Sequence, residues 1–73
     1  MIRYLNSASG IQAYDYGDDF IRIQFEDGTI YLYTYESTGA YHIEQMKKLA
    51  QLGKGLNTFI NQAVRGNYWK REL

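Results

Sequence analysis

Two hydrophobic periods divide the chain. Between Gly10 and Glu36 apolar residues recur at every second position in three runs, "GIQAYDY" (10–16), "DFIRIQF" (19–25) and "TIYLYTY" (29–35), with Gly17-Asp18 and Asp27-Gly28 between them. Alternation of this kind sends successive side chains to opposite faces of a strand, and such short connections join neighbouring strands as antiparallel hairpins. After Glu36 the period changes. Ser37 or Thr38 suits a helix N-cap, Tyr41, Met46, Leu49, Ala50 and Leu52 recur at roughly helical spacing, and Gly53 supplies a stop. "GKG" at 53–55 reads as a hinge, after which Asn57 suits the N-cap of a shorter helix carrying Phe59, Ile60, Ala63 and Val64, ended by Gly66. The pattern predicts an α+β fold: a three-stranded antiparallel meander followed by two helices packed on one sheet face, in the order β-β-β-α-α. Helix 1 is expected to start at residues 37–40 and helix 2 close to Asn57. With no repeat, no low-complexity tract and no proline, residues 1–73 read as one domain.

The third run places Tyr31, Tyr33 and Tyr35 on one face of a strand, and the hairpin register decides what that face meets. A two-residue Asp27-Gly28 turn pairs Phe25 with Ile30 and Ile23 with Leu32, leaving the tyrosines beside Phe20, Arg22 and Gln24 as an open aromatic platform. A three-residue Glu26-Asp27-Gly28 loop, with Gly28 left-handed, pairs Ile23 with Tyr31 and Ile21 with Tyr33 and turns the rings toward the helices. Local turn chemistry permits both. The covered arrangement is the expectation, because aromatic stripes pack more often than they bind and tyrosine can bury its ring while wetting its hydroxyl.

Composition narrows the chemistry. There is no cysteine, which removes disulfides, thiolate nucleophiles and Cys-ligated zinc, and a reducing cytoplasmic compartment is the simplest expectation. "MIRYLNSASG" lacks the apolar run of a signal peptide, and no segment approaches the roughly 20 apolar residues of a membrane span. At 73 residues a single core stabilises a fold only marginally, which leaves homo-oligomerisation open. Net charge is zero but unevenly distributed. Residues 1–36 carry two basic and six acidic side chains, and residues 37–73 carry six basic and two acidic ones, balances of −4 and +4. A basic second half fits an anionic partner; acids gathered in hairpin turns and lysines on a solvated helix face produce the same asymmetry.

Catalytic and metal constellations are sparse. His42 is the single histidine and has no nucleophile beside it in the pattern, so a surface or helix-cap role is the expectation. Asp15, Asp18 and Asp19 crowd one turn without the ordered ligand spacing of a calcium loop, and no metal or cofactor is expected. Binding chemistry is better represented. Asn61 and Arg65 stand four apart on the second helix, where an amide can pair with a base edge and a guanidinium can hold a phosphate. Alternatively Asn61 ties buried backbone groups together while Arg65 pairs with an acid or a ring. The tail contributes Tyr68, Trp69, Lys70 and Arg71, residues that suit single-stranded nucleic acid and equally suit a clamp of the C-terminus onto the sheet or a dimer contact.

Taken together, Ser9 and Ile11, Ile21-x-Ile23-x-Phe25, Gly28, Tyr31-x-Tyr33, Tyr41 and "GKGLNTFINQAVRGNY" resemble the KTSC domain, a short module named for its place at the C-terminus of some lysyl-tRNA synthetases and also found alone. The hallmarks, a central Tyr-x-Tyr and a later Phe-x-Asn-x-x-(Ile/Val)-Arg, fall on Tyr31, Tyr33, Phe59, Asn61, Val64 and Arg65, and the resemblance runs from about Ser7 to Tyr68. Two features depart from it: "ESTGAY" lacks the Val-Pro of many members, implying a looser strand-to-helix link, and the extra glycine of "GKGLN" occurs in only some. The resemblance implies RNA binding. The expectation is therefore a non-catalytic module for RNA or another nucleotide-containing anion, with Tyr31, Tyr33, Asn61, Arg65, Tyr68, Trp69, Lys70 and Arg71 as binding residues. The alternatives are a small, oligomeric protein-interaction module and an oligomeric sponge for a small nucleotide.

Overall fold

The computed structural model describes residues 1–6 and 9–73; Ser7, where the family resemblance begins, lies outside the described residues. The three expected strands are present as β2 (Ile11–Gly17), β3 (Phe20–Phe25) and β4 (Ile30–Thr34), flanked in the sheet by two short strands, β1 (Ile2–Arg3) and β5 (Lys70–Arg71). The sheet is antiparallel throughout in the order β1-β2-β3-β4-β5. The expected three-stranded meander is thus corrected to five strands. Two-residue edges are too short to carry an alternation signal, and their pairing depends on the sheet already in place.

The β3–β4 hairpin adopts the three-residue loop. Phe25 N–H donates to Thr29 O (2.9 Å) and Gly28 N–H to Phe25 O (2.9 Å), with Gly28 at φ +92°. Asp27 Oδ1 accepts from the Thr29 backbone (3.0 Å) and hydroxyl (2.7 Å), bonds that hold its carboxyl below the usual carboxylate range. In this register Ile21 pairs with Tyr33 and Ile23 with Tyr31. An irregularity between Ile11 and Ala13 shifts the β2 alternation by one, so that Ile11, opposite Phe25, and Tyr14, opposite Ile23, share the inner face.

Four helical segments follow β4: α1 (Tyr35–Thr38), α2 (Ala40–Leu52), α3 (Leu56–Phe59) and a wider π-helical turn over Ile60–Val64 that continues α3. The link from strand to helix is direct, not loose. Thr34 closes β4 and caps α1 in the same step, its hydroxyl accepting from Ser37 N–H (3.1 Å) while Ser37 Oγ accepts from Thr34 N–H (3.1 Å). The helix that carries Tyr41 and Met46 is α2, which starts at Ala40, within the expected 37–40, with Gly39 as its N-cap where Ser37 or Thr38 was expected; Thr38 is buried with its hydroxyl donating to Asn67 O (2.6 Å). Gly53 ends α2 as anticipated, left-handed, with its N–H on Leu49 O (2.9 Å). The N-cap of α3 is Gly55 in place of Asn57.

The core lies between the inner sheet face and these helices. Tyr4, Ile11, Tyr14, Ile21, Ile23 and Tyr33 meet Ile43, Met46, Ala50, Leu56, Ile60 and Val64. On α2 the buried stripe is 43, 46 and 50, and two residues expected on it, Tyr41 and Leu52, face outward. Tyr4, from a segment with no periodic signal, is 2% exposed, and its hydroxyl accepts a long bond from Leu56 N–H (3.4 Å). Asn57 Nδ2 donates to Ser9 O (2.6 Å), tying α3 to the segment before β2. The structural amide weighed for Asn61 thus belongs to Asn57; Asn61 is exposed.

Candidate nucleic-acid interface

The C-terminal tail gathers most of the expected binding residues along the β4 edge. Trp69 N–H donates to Leu32 O (2.7 Å), Glu72 N–H to Ile30 O (2.7 Å) and Ile30 N–H to Leu73 O (3.3 Å), so the tail is laid down as strand β5 beside β4. Immediately before it, Tyr68 packs on the tyrosine stripe, 4.6 Å from the Tyr31 ring centre and 6.3 Å from that of Tyr33. Tyr31 also meets Phe25 edge-on at 5.8 Å and carries the Arg71 guanidinium 6.0 Å over its ring. Lys70 Nζ stands 5.2 Å over Trp69, whose side of the chain is the most open aromatic surface of the edge, at 59% exposed.

The structure separates the expected site residues into three groups. Tyr33 belongs to the core at 2% exposed, and burial, followed by the neighbouring Tyr31 and Tyr68 hydroxyls, pushes its pKa up to about 12. A buried ring has no face to offer a ligand. The β4–β5 edge carries the second group on its two faces: Tyr68 and Arg71 lie over Tyr31 on the helix side, while Trp69, with Lys70 over its ring, turns to the outer face beside Leu32. Asn61 and Arg65 stand exposed on the last helical segment, where the wide turn draws Ile60 and Val64 inward and leaves them outside. The neighbours of the Tyr31 ring are Phe25, Tyr68 and Arg71. Tyr35 leaves the stripe as the first residue of α1, its hydroxyl donating to Glu44 Oε2 (2.5 Å).

One cation of the basic half is engaged within the fold. Lys47 Nζ bonds Glu44 (2.9 Å) and the Asp18 carbonyl (3.0 Å), which joins α2 to the β2–β3 turn. The Tyr35 hydroxyl and then Lys47 hold the Glu44 carboxyl below its ordinary range. Arg65, Lys70 and Arg71 remain on the surface as the cations closest in sequence to Tyr68 and Trp69.

A feature absent from the sequence reading lies on the outer sheet face, opposite the helices. Phe20, Leu32 and Trp69 line a groove of about 470 Å³ together with Asp19, Arg22 and Glu36. Arg22 is already engaged there: its guanidinium lies 5.2 Å from the Phe20 ring centre and pairs with Glu72 (2.5 Å) and Asp15 (3.2 Å). The Glu72 bond, foremost, keeps the Arg22 pKa above its ordinary value, so this arginine is a tethered group and not a spare phosphate ligand. The signal in the sequence was the outward partner row Arg22 and Leu32, legible only once the register is known.

His42 Nδ1 lies 3.0 Å from Thr38 O, with its ring against Tyr41 and Phe59, a packing and capping arrangement. Among the described residues no group of three or more His, Asp or Glu side chains converges to hold a metal ion, and no helix is long and apolar enough to cross a membrane. Comparison with protein families, curated proteins and solved structures finds no match to this chain.

Proposed function

We propose that this chain is a non-catalytic, KTSC-like binding module that holds single-stranded RNA, or another nucleotide-containing anion, along its C-terminal edge. One observation carries the reading: the tail gathers a half-open tyrosine, an exposed tryptophan and two cations, Tyr68, Trp69, Lys70 and Arg71, at one sheet edge, with Tyr68 and Arg71 toward the helix side and Trp69 and Lys70 toward the outer face. Bases stack on rings with little regard to sequence while lysine and arginine follow the phosphates, and such binding weakens steeply with salt. Tyr31 contributes by backing Tyr68 and seating Arg71; Tyr33 supports Tyr68 from within the core. Arg65, exposed at the end of the last helical segment, is a further cation open to the anion. The tether of Arg22 by two carboxylates leaves the outer groove without a free cation for phosphate, so the cations offered to the backbone are Lys70 and Arg71 of the edge. The test is titration of a labelled single-stranded RNA at several salt concentrations, with quenching of Trp69, the single tryptophan, as an independent signal. Affinity that rises as salt falls, with Trp69 quenched, is the expected result. An RNA that neither binds at about 50 mM salt nor alters Trp69 emission overturns the reading.

A further inference from the structure

The outer groove and the far end of α2 are complementary surfaces of the same chain. The groove has an apolar floor of Phe20, Leu32 and Trp69 and an acidic rim of Asp19 and Glu36, and its one cation, Arg22, is matched by the two carboxylates of Asp15 and Glu72. At the end of α2 the pattern is reversed. Leu52 is 61% exposed between the exposed Lys48, one turn earlier, and Lys54, and the still more open Leu5 lies against Gly53 beside it. Two open leucines bracketed by lysines form an apolar, basic knob.

We propose that this knob docks in the outer groove of a second copy, so that the chain self-associates head to tail. Charge complementarity selects the occupant: Lys48 and Lys54 face Asp19 and Glu36 while Leu52 enters between Phe20 and Trp69. Intramolecular satisfaction is ruled out by geometry. The groove adjoins Glu36, before α2, and opens on the sheet face opposite the helices, whereas the knob lies at the other end of α2, about 20 Å along a 13-residue helix. Because the two surfaces differ and lie apart, the contact is heterologous and leaves a free groove and a free knob on each pair, which extends to a ring or an open chain. The patches are small, so association is weak, with a dissociation constant on the order of 0.1 mM, and it is salt-sensitive.

Sedimentation equilibrium on the full chain at about 0.05–0.5 mM and low salt tests this, with two charge-reversed variants, Asp19→Lys/Glu36→Lys for the groove and Lys48→Glu/Lys54→Glu for the knob. All four positions are exposed, and far-UV circular dichroism confirms that each variant is folded. Wild type is expected to exceed its monomer mass of 8.6 kDa with rising concentration, each variant alone to lose at least about tenfold in association constant, and an equimolar mixture of the two to associate again. Only a contact between two different surfaces is restored by mixing. A wild type that stays at monomer mass overturns the proposal and leaves a basic, apolar segment of another protein as the occupant to seek. Association unaffected by either variant, or not restored in the mixture, overturns it as well.

Discussion

Truncating Tyr33 to alanine is the sharpest test of the packing described above. The ring is 2% exposed, sits opposite Ile21 in the β3–β4 ladder, and belongs to the cluster in which Ile43, Met46, Ile60 and Val64 close over the sheet. Removing a buried aromatic side chain costs about 3–5 kcal/mol, made up of forfeited transfer energy and the cavity left where the backbone cannot collapse. A sheet strand hydrogen-bonded on both sides, as β4 is between β3 and β5, collapses little, which places Tyr33 toward the upper part of that range. The whole domain, at roughly 0.05–0.15 kcal/mol per residue, has only about 4–11 kcal/mol to lose, so Tyr33→Ala is expected to halve its stability or unfold it. Urea denaturation followed by far-UV circular dichroism is the assay. Trp69 emission is a poor substitute, since the single tryptophan is exposed and reports the edge, not the core. Tyr35→Ala gives the internal control, because that ring is only partly buried and its hydroxyl bond to Glu44 is exposed. A Tyr33→Ala variant whose free energy of unfolding falls by less than about 1 kcal/mol, or no more than that of Tyr35→Ala, refutes the covered register.

Three further predictions rest on particular side chains. Arg65→Ala with Lys70→Ala is expected to weaken RNA binding at about 0.1 M salt and to reduce the salt slope by about one for each phosphate no longer neutralised, with the fold intact; unchanged affinity in the folded double variant argues against the edge site. Tyr33 is expected to ionise near pH 12, above exposed tyrosines, in a titration followed by phenolate absorbance. Its folded pKa is raised, so the associated stability, about 2–3 kcal/mol, is complete below pH 10 and is lost as pH rises through 12, and a single transition near pH 10 in the folded protein contradicts it. Tyr4→Phe is expected to cost about 1–3 kcal/mol in denaturant titration by leaving the buried Leu56 N–H without its acceptor, whereas a neutral result shows that the long bond contributes nothing.

Much of this architecture is local and therefore readable from the chain. Strict alternation in 19–25 and 29–35 specifies strands because only a period of two puts Ile21 and Ile23 on one side, and Gly28 and Gly53 mark turn and stop because their backbones are left-handed. The change of period after Glu36 likewise specifies α2 and α3, which begin at Ala40 and Leu56, whereas the short α1 turn starts at Tyr35, inside the run that reads as strand. The tail could be read as aromatic and basic, and as a clamp or a ligand surface, but not as a strand.

What the order of residues left open depended on the meeting of distant segments. The hairpin register was one such case, because Asp27-Gly28 suits two loops of different length; the helices decide it, since only the three-residue loop delivers Tyr33 to the face that Ile43 and Met46 cover. Strands β1 and β5 exist because β2 and β4 present unpaired edges to segments that happen to reach them, an outcome no two-residue pattern encodes. The same reach carries Tyr4 into the core and Tyr68 onto Tyr31. The outer groove is more dependent still: Phe20, Leu32 and Trp69 are far apart in sequence and become one surface only after the register and the β4–β5 pairing have set them on the same side of the sheet. Period and turn chemistry act over a few residues and so are written in the chain, while register, edge pairing and surface grouping are decided by free energies of burial that exist only when the whole sheet and its helices are assembled.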